Sequence, residues 1–454
     1  MVNKNLLQGK KHLHFIGIGG SGMYPLVQIL QAAGYTISGS DVNEGDIINY
    51  ERAMGIKVYM PQSAENVHGA DLVVYSAAIN MANPEIVEAQ RLGIETIERS
   101  IMLGYVTALY SRPICIAGTH GKTSTTAMAT QALLTAKVDT AAVIGGKLPF
   151  INGYGKAGTA DCIVVESCEY HNTFLELTPH TAVLLNVDAD HLEFFGNMAN
   201  LKTAFRKFCQ SATDTVIYNK DDANTCEVVN GLTQNLVSFG KGEGCDFRAV
   251  NINEPTRGFY AFDILHNGKK SASVALGAPG AHQVLNALAC FSACVLEGAD
   301  PTLVAKGISA FGGAGRRFEV LGNVRGITIA DDYAHHPTEL TATLTAAKEM
   351  GFANVWAVFQ PFTFSRTKML LDDFAESLQI ADKVVMTEIM GSRETNEKFN
   401  IFTADLAAKI PNSVWFKTFD EVSDYVMQHA KENDLVITLG CGDIYKAAKM
   451  MLKK

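Results

Sequence analysis

The amino-acid sequence predicts an α/β protein of three domains, each built on a mostly parallel sheet. Three observations carry that expectation. Short apolar runs alternate with helical stretches along the chain, the rhythm of βαβ units. Two glycine-rich turns, at residues 17–22 and 118–121, each stand between an apolar run and a helical pattern. The rhythm breaks at Ser111-Arg112-Pro113 and again at Gly312-Gly313-Ala314-Gly315 with Arg316 and Arg317. These breaks place joints near residues 111 and 317, so the expected domains are 1–110, 111–316 and 317–454. A chain of 454 residues fits that number at roughly 100–200 residues per domain.

The elements follow in order. Residues 12–16 read as a buried strand, 23–33 as a helix stopped by Gly34, 35–38 as a second strand and 71–76 as a later one. After the first joint, residues 114–117 form a strand that runs into the second glycine turn, and a helix follows from Thr125. Strands are expected at 162–165 and 182–186, and after the second joint at 326–330, 355–359, 383–387 and 435–439. Neither a short-period repeat nor a low-complexity tract interrupts the pattern.

Composition narrows the function. With 47% hydrophobic and 19% charged residues, each domain can bury its own core, and disorder or a coiled coil is excluded as the dominant state. The net charge of −9 argues against a broad electrostatic grip on nucleic acid, so anions must be held by local sites. The nine cysteines contain no CxxC pair and read as reduced thiols of a cytoplasmic protein. Polar residues and glycines break up the N-terminal stretch, which argues against a signal peptide. No run approaches the ~18 apolar residues of a membrane helix, so no membrane partner is expected.

Gly17-Ile18-Gly19-Gly20-Ser21-Gly22 fits the G-x-G-x-x-G pattern, and Asp41 follows about 20 residues on, at the end of the second strand, as in dinucleotide-binding folds. Glycines there let backbone N–H groups approach a diphosphate at a helix N-terminus, and Asp41 can bond a ribose hydroxyl. The pattern serves NAD and UDP-sugars alike.

Gly118-Thr119-His120-Gly121-Lys122-Thr123-Ser124 is sharper. It stands where a phosphate-binding loop belongs, with Lys122 to neutralise ATP phosphates and the Thr123 hydroxyl to ligate Mg²⁺. It is two residues shorter than G-x₄-G-K-[ST], with Ile116 where the first glycine would fall. Glu166 and His191 stand at or just beyond the ends of strands behind this loop, where open α/β sheets bind ligands. Glu166 offers a hard oxygen to the metal, and His191 can reach a second one.

Taken together, HFIGIGGSGM, SGSD, GTHGKTSTTAM, VVESCEYHNTFL, NVDADHLEFF, GAHQVLNALA, GRRFE, DDYAHHPTEL, FQPFTFSRT and LGCGDI resemble the Mur ligases, the ATP-dependent amide-forming enzymes of peptidoglycan synthesis. The resemblance covers essentially the whole chain and is nearest to the L-alanine-adding branch in its Gram-positive form. It implies a Rossmann-like UDP-binding domain, a central P-loop ATPase domain and a C-terminal Rossmann-like domain that carries the amino-acid pocket. It implies as substrates UDP-N-acetylmuramate, L-alanine and ATP with Mg²⁺, in a monomer or homodimer. The lactyl carboxylate takes the γ-phosphate to form an acyl phosphate, and the amino group of L-alanine displaces phosphate.

The resemblance also implies roles by residue. Gly19, Ser21, Gly22 and Met23 hold the UDP diphosphate, with Asp41 and Ser76 near the nucleoside. Gly118, Thr119, His120, Gly121, Lys122, Thr123 and Ser124 cradle ATP, and His282 and Asn286 lie beside adenine. Arg317, with Arg316, reaches the nucleotide, and Asp332 bonds the ATP ribose. Tyr333, His335 and Arg366 form the L-alanine pocket, where a guanidinium suits a carboxylate. Lys122, Glu166, His191 and His335 are the expected catalytic groups, and Thr123, Glu166 and His191 the metal ligands.

Three departures stand out. Some Mur ligases carry a carbamylated lysine after the DH motif, where this chain has Phe205, with Lys202 and Lys207 off register; its absence fits the alanine-adding branch. The usual FQPH reads FQPF, with Phe362 in place of His. The acidic segment after Glu166 reads SCEYHNTF, and its Glu169 can supply part of the missing charge. The nearest rival is the muropeptide-recycling ligase, whose first glycine loop usually reads GICGTFM. An NAD-dependent dehydrogenase would leave Lys122, Glu166 and His191 idle. A non-catalytic UDP-sugar sensor would predict a damaged phosphate loop, and Lys122 and Thr123 are intact.

Overall fold

The computed structural model describes residues 5–392 and 394–454. The chain divides into two compact units: residues 5–248 with 265–271 and 286–308, and residues 249–264 with 272–285 and 309–454.

The first unit holds two sheets. In the N-terminal one, five parallel strands lie in the order Lys57–Tyr59, Thr36–Ser40, His12–Ile16, Leu72–Tyr75, Glu95–Glu98. This is the open order of a Rossmann-like half, whose reversal beside the first strand opens a crevice at the strand C-termini. His12–Ile16 is central and serves two faces, as alternation requires. Leu13 and Phe15 join the core with Leu26 and Leu30 of the helix Tyr24–Ala32, while Ile16 packs with Val73 and Ile86 on the other side.

The second sheet of this unit runs Asn235–Gly240, Thr215–Asn219, Thr181–Leu184, Arg112–Ala117, Cys162–Glu166, Ala141–Leu148, Gly153–Lys156, parallel except for the last strand. Arg112–Ala117 is the pivot. Ile116 pairs with Glu166 on one side, and Ala117 with Leu184 on the other. The turn after Ala117 is thus flanked by both neighbouring strand ends. The helix Lys122–Thr135 follows that turn directly. One apolar core joins the two sheets. There the hairpin strand Gly153–Lys156 lies so close to the first helix that a Cβ on Gly155 would sit 2.5 Å from the Cβ of Pro25.

The second unit carries a six-stranded sheet in the order Glu319–Val324, Ile327–Asp332, Leu435–Leu439, Val355–Phe359, Lys383–Thr387, Val414–Phe416. Only the first pair is antiparallel. Helices cover both faces: Leu340, Leu344 and Phe374 on one, Val422, Val426 and Met451 on the other.

The expected α/β fold of three sheet-based domains is present. Some details differ. The helix after the phosphate loop begins at Lys122, not Thr125, because Gly121 takes the left-handed conformation (φ 85°) that starts it. The strand Arg112–Ala117 extends into the expected joint and takes in Pro113, which is tolerated near a strand start. The strand expected at 326–330 continues to Asp332. Several strands are absent from the sequence reading, among them the edge strands Gly153–Lys156 and Glu319–Val324, whose alternation glycines and polar residues blur. Among the described residues no helix is long and apolar enough to cross a membrane.

Candidate active site

The first glycine loop is braced from the second strand. Gly17 (φ 80°) and Ile18 donate their N–H groups to the carbonyl of Ser40. Gly19 N–H donates to Asp41 Oδ2 at 3.0 Å, and Val42 and Asn43 N–H donate to Asp41 Oδ1 at 2.7 and 3.1 Å. The expectation that Asp41 serves the nucleoside therefore meets a second role, since its carboxylate already fixes the loop. A side chain at Gly19 would collide with Ile48 Cδ1 at 2.7 Å. Ser76 follows the strand Leu72–Tyr75 and abuts Gly17. Met23 is buried, 1% exposed, so only its backbone can reach a diphosphate. Sequence reading missed Arg99, at the start of the helix Arg99–Thr107, whose guanidinium lies 3.5 Å from where a Gly22 Cβ would stand. It brings a cation to the turn where an anion is expected, and no motif marks it.

The second loop is built from the strand Arg112–Ala117 and both of its neighbours. Gly118 (φ 146°) leaves no room for a Cβ beside Leu185, 2.9 Å away. Thr119 N–H donates to the Asn186 carbonyl, and His120 N–H to Asn186 Oδ1 at 2.8 Å. The His120 ring lies 3.2 Å from Asp188 Oδ2. A Cβ on Gly121 would meet Asn286 Oδ1 at 2.5 Å, so the predicted Asn286 does face the loop. Ser124 is buried within the helix.

Lys122 folds back over this loop. Its ammonium donates to the carbonyls of Gly118 (2.6 Å) and Thr119 (2.9 Å) and pairs with Glu169 Oε2 at 2.9 Å. Burial, the largest single influence, acts to lower its pKa, but Glu169, Cys168 and Glu166 together outweigh it and hold the ammonium above the usual lysine range. Thr123 Oγ1 donates to Glu166 Oε1 at 2.7 Å, and Gly145 N–H to Glu166 Oε2 at 2.6 Å. A hydroxyl and a carboxylate thus converge beside the lysine, a pair of hard oxygens suited to Mg²⁺.

His191, left-handed at φ 54°, leans on the Tyr170 ring at 4.5 Å, with its Nε2 3.7 Å from Asp190 Oδ2. Phe205 is buried against Phe174, edge to face at 5.4 Å, so the position of the family's lysine is core here. Lys202 pairs with Glu227.

In the second unit the predicted residues gather at strand C-termini. Asp332 ends Ile327–Asp332 and accepts N–H bonds from Phe318 and Ala334, both at 2.7 Å. Burial pushes its carboxyl up to about 6, against the opposing pull of Arg317. Arg316 is committed to structure: it bonds Asp331 Oδ2 (2.8 Å) and the Gly440 carbonyl (2.7 Å) and lies over the rings of Tyr333 and Tyr445. Its neighbour Arg317 stacks on Tyr333 at 5.1 Å. The Tyr333 hydroxyl is pushed up to about 12, chiefly by burial. His335 Nδ1 lies 3.0 Å from the Tyr333 carbonyl and 3.2 Å from Glu339.

Arg366 is buried in the short helix Phe364–Met369. Thr363 starts that helix with φ 62°, a strained value for a β-branched residue. Phe362 bridges to Met390. His282 opens the helix His282–Leu296, and burial brings its imidazole down to about 4.

A phosphate loop with a lysine, a threonine–carboxylate pair behind it, and a Rossmann-like glycine loop on the preceding sheet define an ATP-dependent ligase class. Family models agree: residues 12–111 match the Mur ligase family catalytic domain, 116–294 the Mur ligase middle domain, and 316–442 the Mur ligase glutamate ligase domain. The chain belongs to the Mur ligase family. It is 41% identical to a UDP-N-acetylmuramate–L-alanine ligase of Caldanaerobacter subterraneus subsp. tengcongensis, over 99% of this chain and 98% of that protein. It is 39% identical to the protein of that name from Acetivibrio thermocellus, over 98% and 96%. Among solved structures it is similar to UDP-N-acetylmuramate–alanine ligase from Thermotoga maritima (TM-score 0.83, 27% identity, 98% of each chain). It is also similar to a murein peptide ligase from Psychrobacter arcticus (TM-score 0.77, 25% identity, 98% of each).

Proposed function

We propose that this chain joins L-alanine to the lactyl carboxylate of UDP-N-acetylmuramate at the expense of ATP, in peptidoglycan synthesis in the cytoplasm. The observation that carries the reading is full-length identity of 38–41% to ligases of that name, supported by Lys122 at the second glycine loop and the Thr123–Glu166 bond next to it. Domains 1–110, 111–316 and 317–454 take the sugar nucleotide, ATP and the amino acid in turn. The glycine loop with Arg99 receives the diphosphate. The ammonium of Lys122 exchanges its loop carbonyls for phosphate oxygens and stabilises the charge that develops during transfer.

Thr123 and Glu166 would hold Mg²⁺, with His191 for a second ion, and the metal supplies charge neutralisation on the phosphates. The lactyl carboxylate oxygen bonds to the γ-phosphorus and ADP leaves. The alanine nitrogen then bonds to the acyl carbon, the C–O bond to phosphate breaks, and the amine gives up a proton. Arg366 takes the alanine carboxylate, and His335, oriented by Glu339, stands beside it.

The test is phosphate release from ATP and UDP-N-acetylmuramate with Mg²⁺, with L-alanine, glycine, L-serine or L-Ala-γ-D-Glu-diaminopimelate supplied singly. Release that depends on L-alanine, with a matching product, is expected. Release with the tripeptide alone would assign the chain to the recycling reaction instead.

A further inference from the structure

Lys147 stands on the strand Ala141–Leu148, half-buried. Its ammonium donates to the Tyr50 hydroxyl at 3.1 Å and lies 5.2 Å from the centre of that ring. Among the described residues no carboxylate pairs with it. A partly desolvated ammonium with only a phenol for company is an anion site in waiting, because burying a cation is offset chiefly by a counter-charge.

Its position gives the anion an identity. Two residues earlier, Gly145 bonds Glu166 through its N–H and lies so close that a Cβ there would sit 2.6 Å from the carboxylate. Tyr50 belongs to the helix Asp46–Ala53, whose Ile48 presses on Gly19 of the first glycine loop. The Lys147–Tyr50 contact therefore links the strand that bears on Glu166 to the helix that bears on the diphosphate loop. Apart from Arg99, which stands at the glycine loop itself, the other charges nearby are already matched or of the wrong sign. Lys122 is neutralised by Glu169, Asp41 is spent on backbone N–H groups, and Glu166 repels an incoming carboxylate.

We propose that Lys147 binds an anionic oxygen of the sugar nucleotide as that substrate runs from the glycine loop towards Glu166. The inference rests on the ligase reading above. The oxygen belongs either to the diphosphate or to the lactyl carboxylate, and two probes tell them apart. UDP-N-acetylmuramate carries both groups, and UDP-N-acetylglucosamine carries the diphosphate alone.

The experiment measures equilibrium binding of both sugar nucleotides, and of ADP with Mg²⁺, to the full chain and its Lys147→Met, Lys147→Gln and Lys147→Arg variants. Loss of a charge-assisted hydrogen bond should weaken UDP-N-acetylmuramate by about 10–100-fold in the Met and Gln variants. Arg should restore most of the affinity, and ADP should bind as before. A parallel loss for UDP-N-acetylglucosamine assigns the oxygen to the diphosphate, and an unchanged affinity assigns it to the carboxylate. Met and Gln variants that bind UDP-N-acetylmuramate within about twofold of wild type overturn the proposal. So does an equal loss for ADP accompanied by a lower melting temperature, the mark of a structural lysine. A wild-type chain that binds neither sugar nucleotide overturns the ligase reading itself, and the proposal with it.

Discussion

Lys122 and Glu169 form an ion pair at the phosphate loop, 2.9 Å apart, with Glu169 1% exposed. The pairing fixes the ammonium in its charged form and keeps it against the carbonyls of Gly118 and Thr119. Glu169 is thus a positioning residue for the cation that is to meet ATP. In Glu169→Gln the burial remains and its main counter-charge goes, so the lysine pKa should fall. Because the native pKa is raised, the charged form now persists well above neutral pH. In the variant, the alkaline limb of kcat/KM should move to lower pH. An unchanged limb between pH 7 and 10 would show that Glu169 does not govern Lys122.

Lys122→Ala should fold and lose ligation. Removing one preorganised charge donor costs about 10²–10³ in kcat in comparable sites. The alanine also leaves Glu169 buried without its partner, a penalty of about 3–5 kcal/mol when buried pairs are broken. A melting curve must therefore accompany the assay, and the Lys122→Met, Glu169→Gln double variant separates the two effects. Turnover like wild type in a folded variant would remove the phosphate-loop assignment.

Asp41→Ala deletes the acceptor for three N–H groups around the first glycine loop. At about 1 kcal/mol per bond, the loop loses its preorganised form. The KM for UDP-N-acetylmuramate should rise far more than that for ATP, because the second loop has its own brace in Asn186. Equal rises in both would place the sugar-nucleotide site elsewhere.

The parts of this molecule legible in the sequence were those set by backbone chemistry. Strands His12–Ile16, Val355–Phe359, Lys383–Thr387 and Leu435–Leu439 follow from short apolar runs between helical stretches. Both glycine loops follow from the positive φ of Gly17 and Gly121. Partnerships between distant side chains were not legible. Asp41 has the right spacing for a ribose contact, and only the fold shows that its carboxylate also braces the first glycine loop. Arg316 and Arg317 are identical neighbours in sequence, and only the fold shows that Asp331 holds the first while the second bears on Asp332. Arg99 and Lys147 carry no motif, because their significance lies in what other strands and helices bring next to them.

Glu51 offers a test on stability instead of turnover. It is fully buried on the helix Asp46–Ala53, and among the described residues neither carboxylate oxygen has a hydrogen-bond partner. Burial first, and the nearby Asp41 second, push its carboxyl up to about 9. The folded chain therefore holds a proton that the unfolded chain releases above its ordinary value near 4.5. The contribution is fully present below that value and is lost as pH rises through about 9, by about 1.4 kcal/mol per pH unit in between. Glu51→Leu keeps an apolar side chain of similar reach in the same space and removes the titration. Its melting temperature should fall less than that of wild type from pH 5 to 9, with the variant the more stable of the two at pH 8. Parallel curves for the two proteins would mean that Glu51 finds a partner or solvent in the folded state.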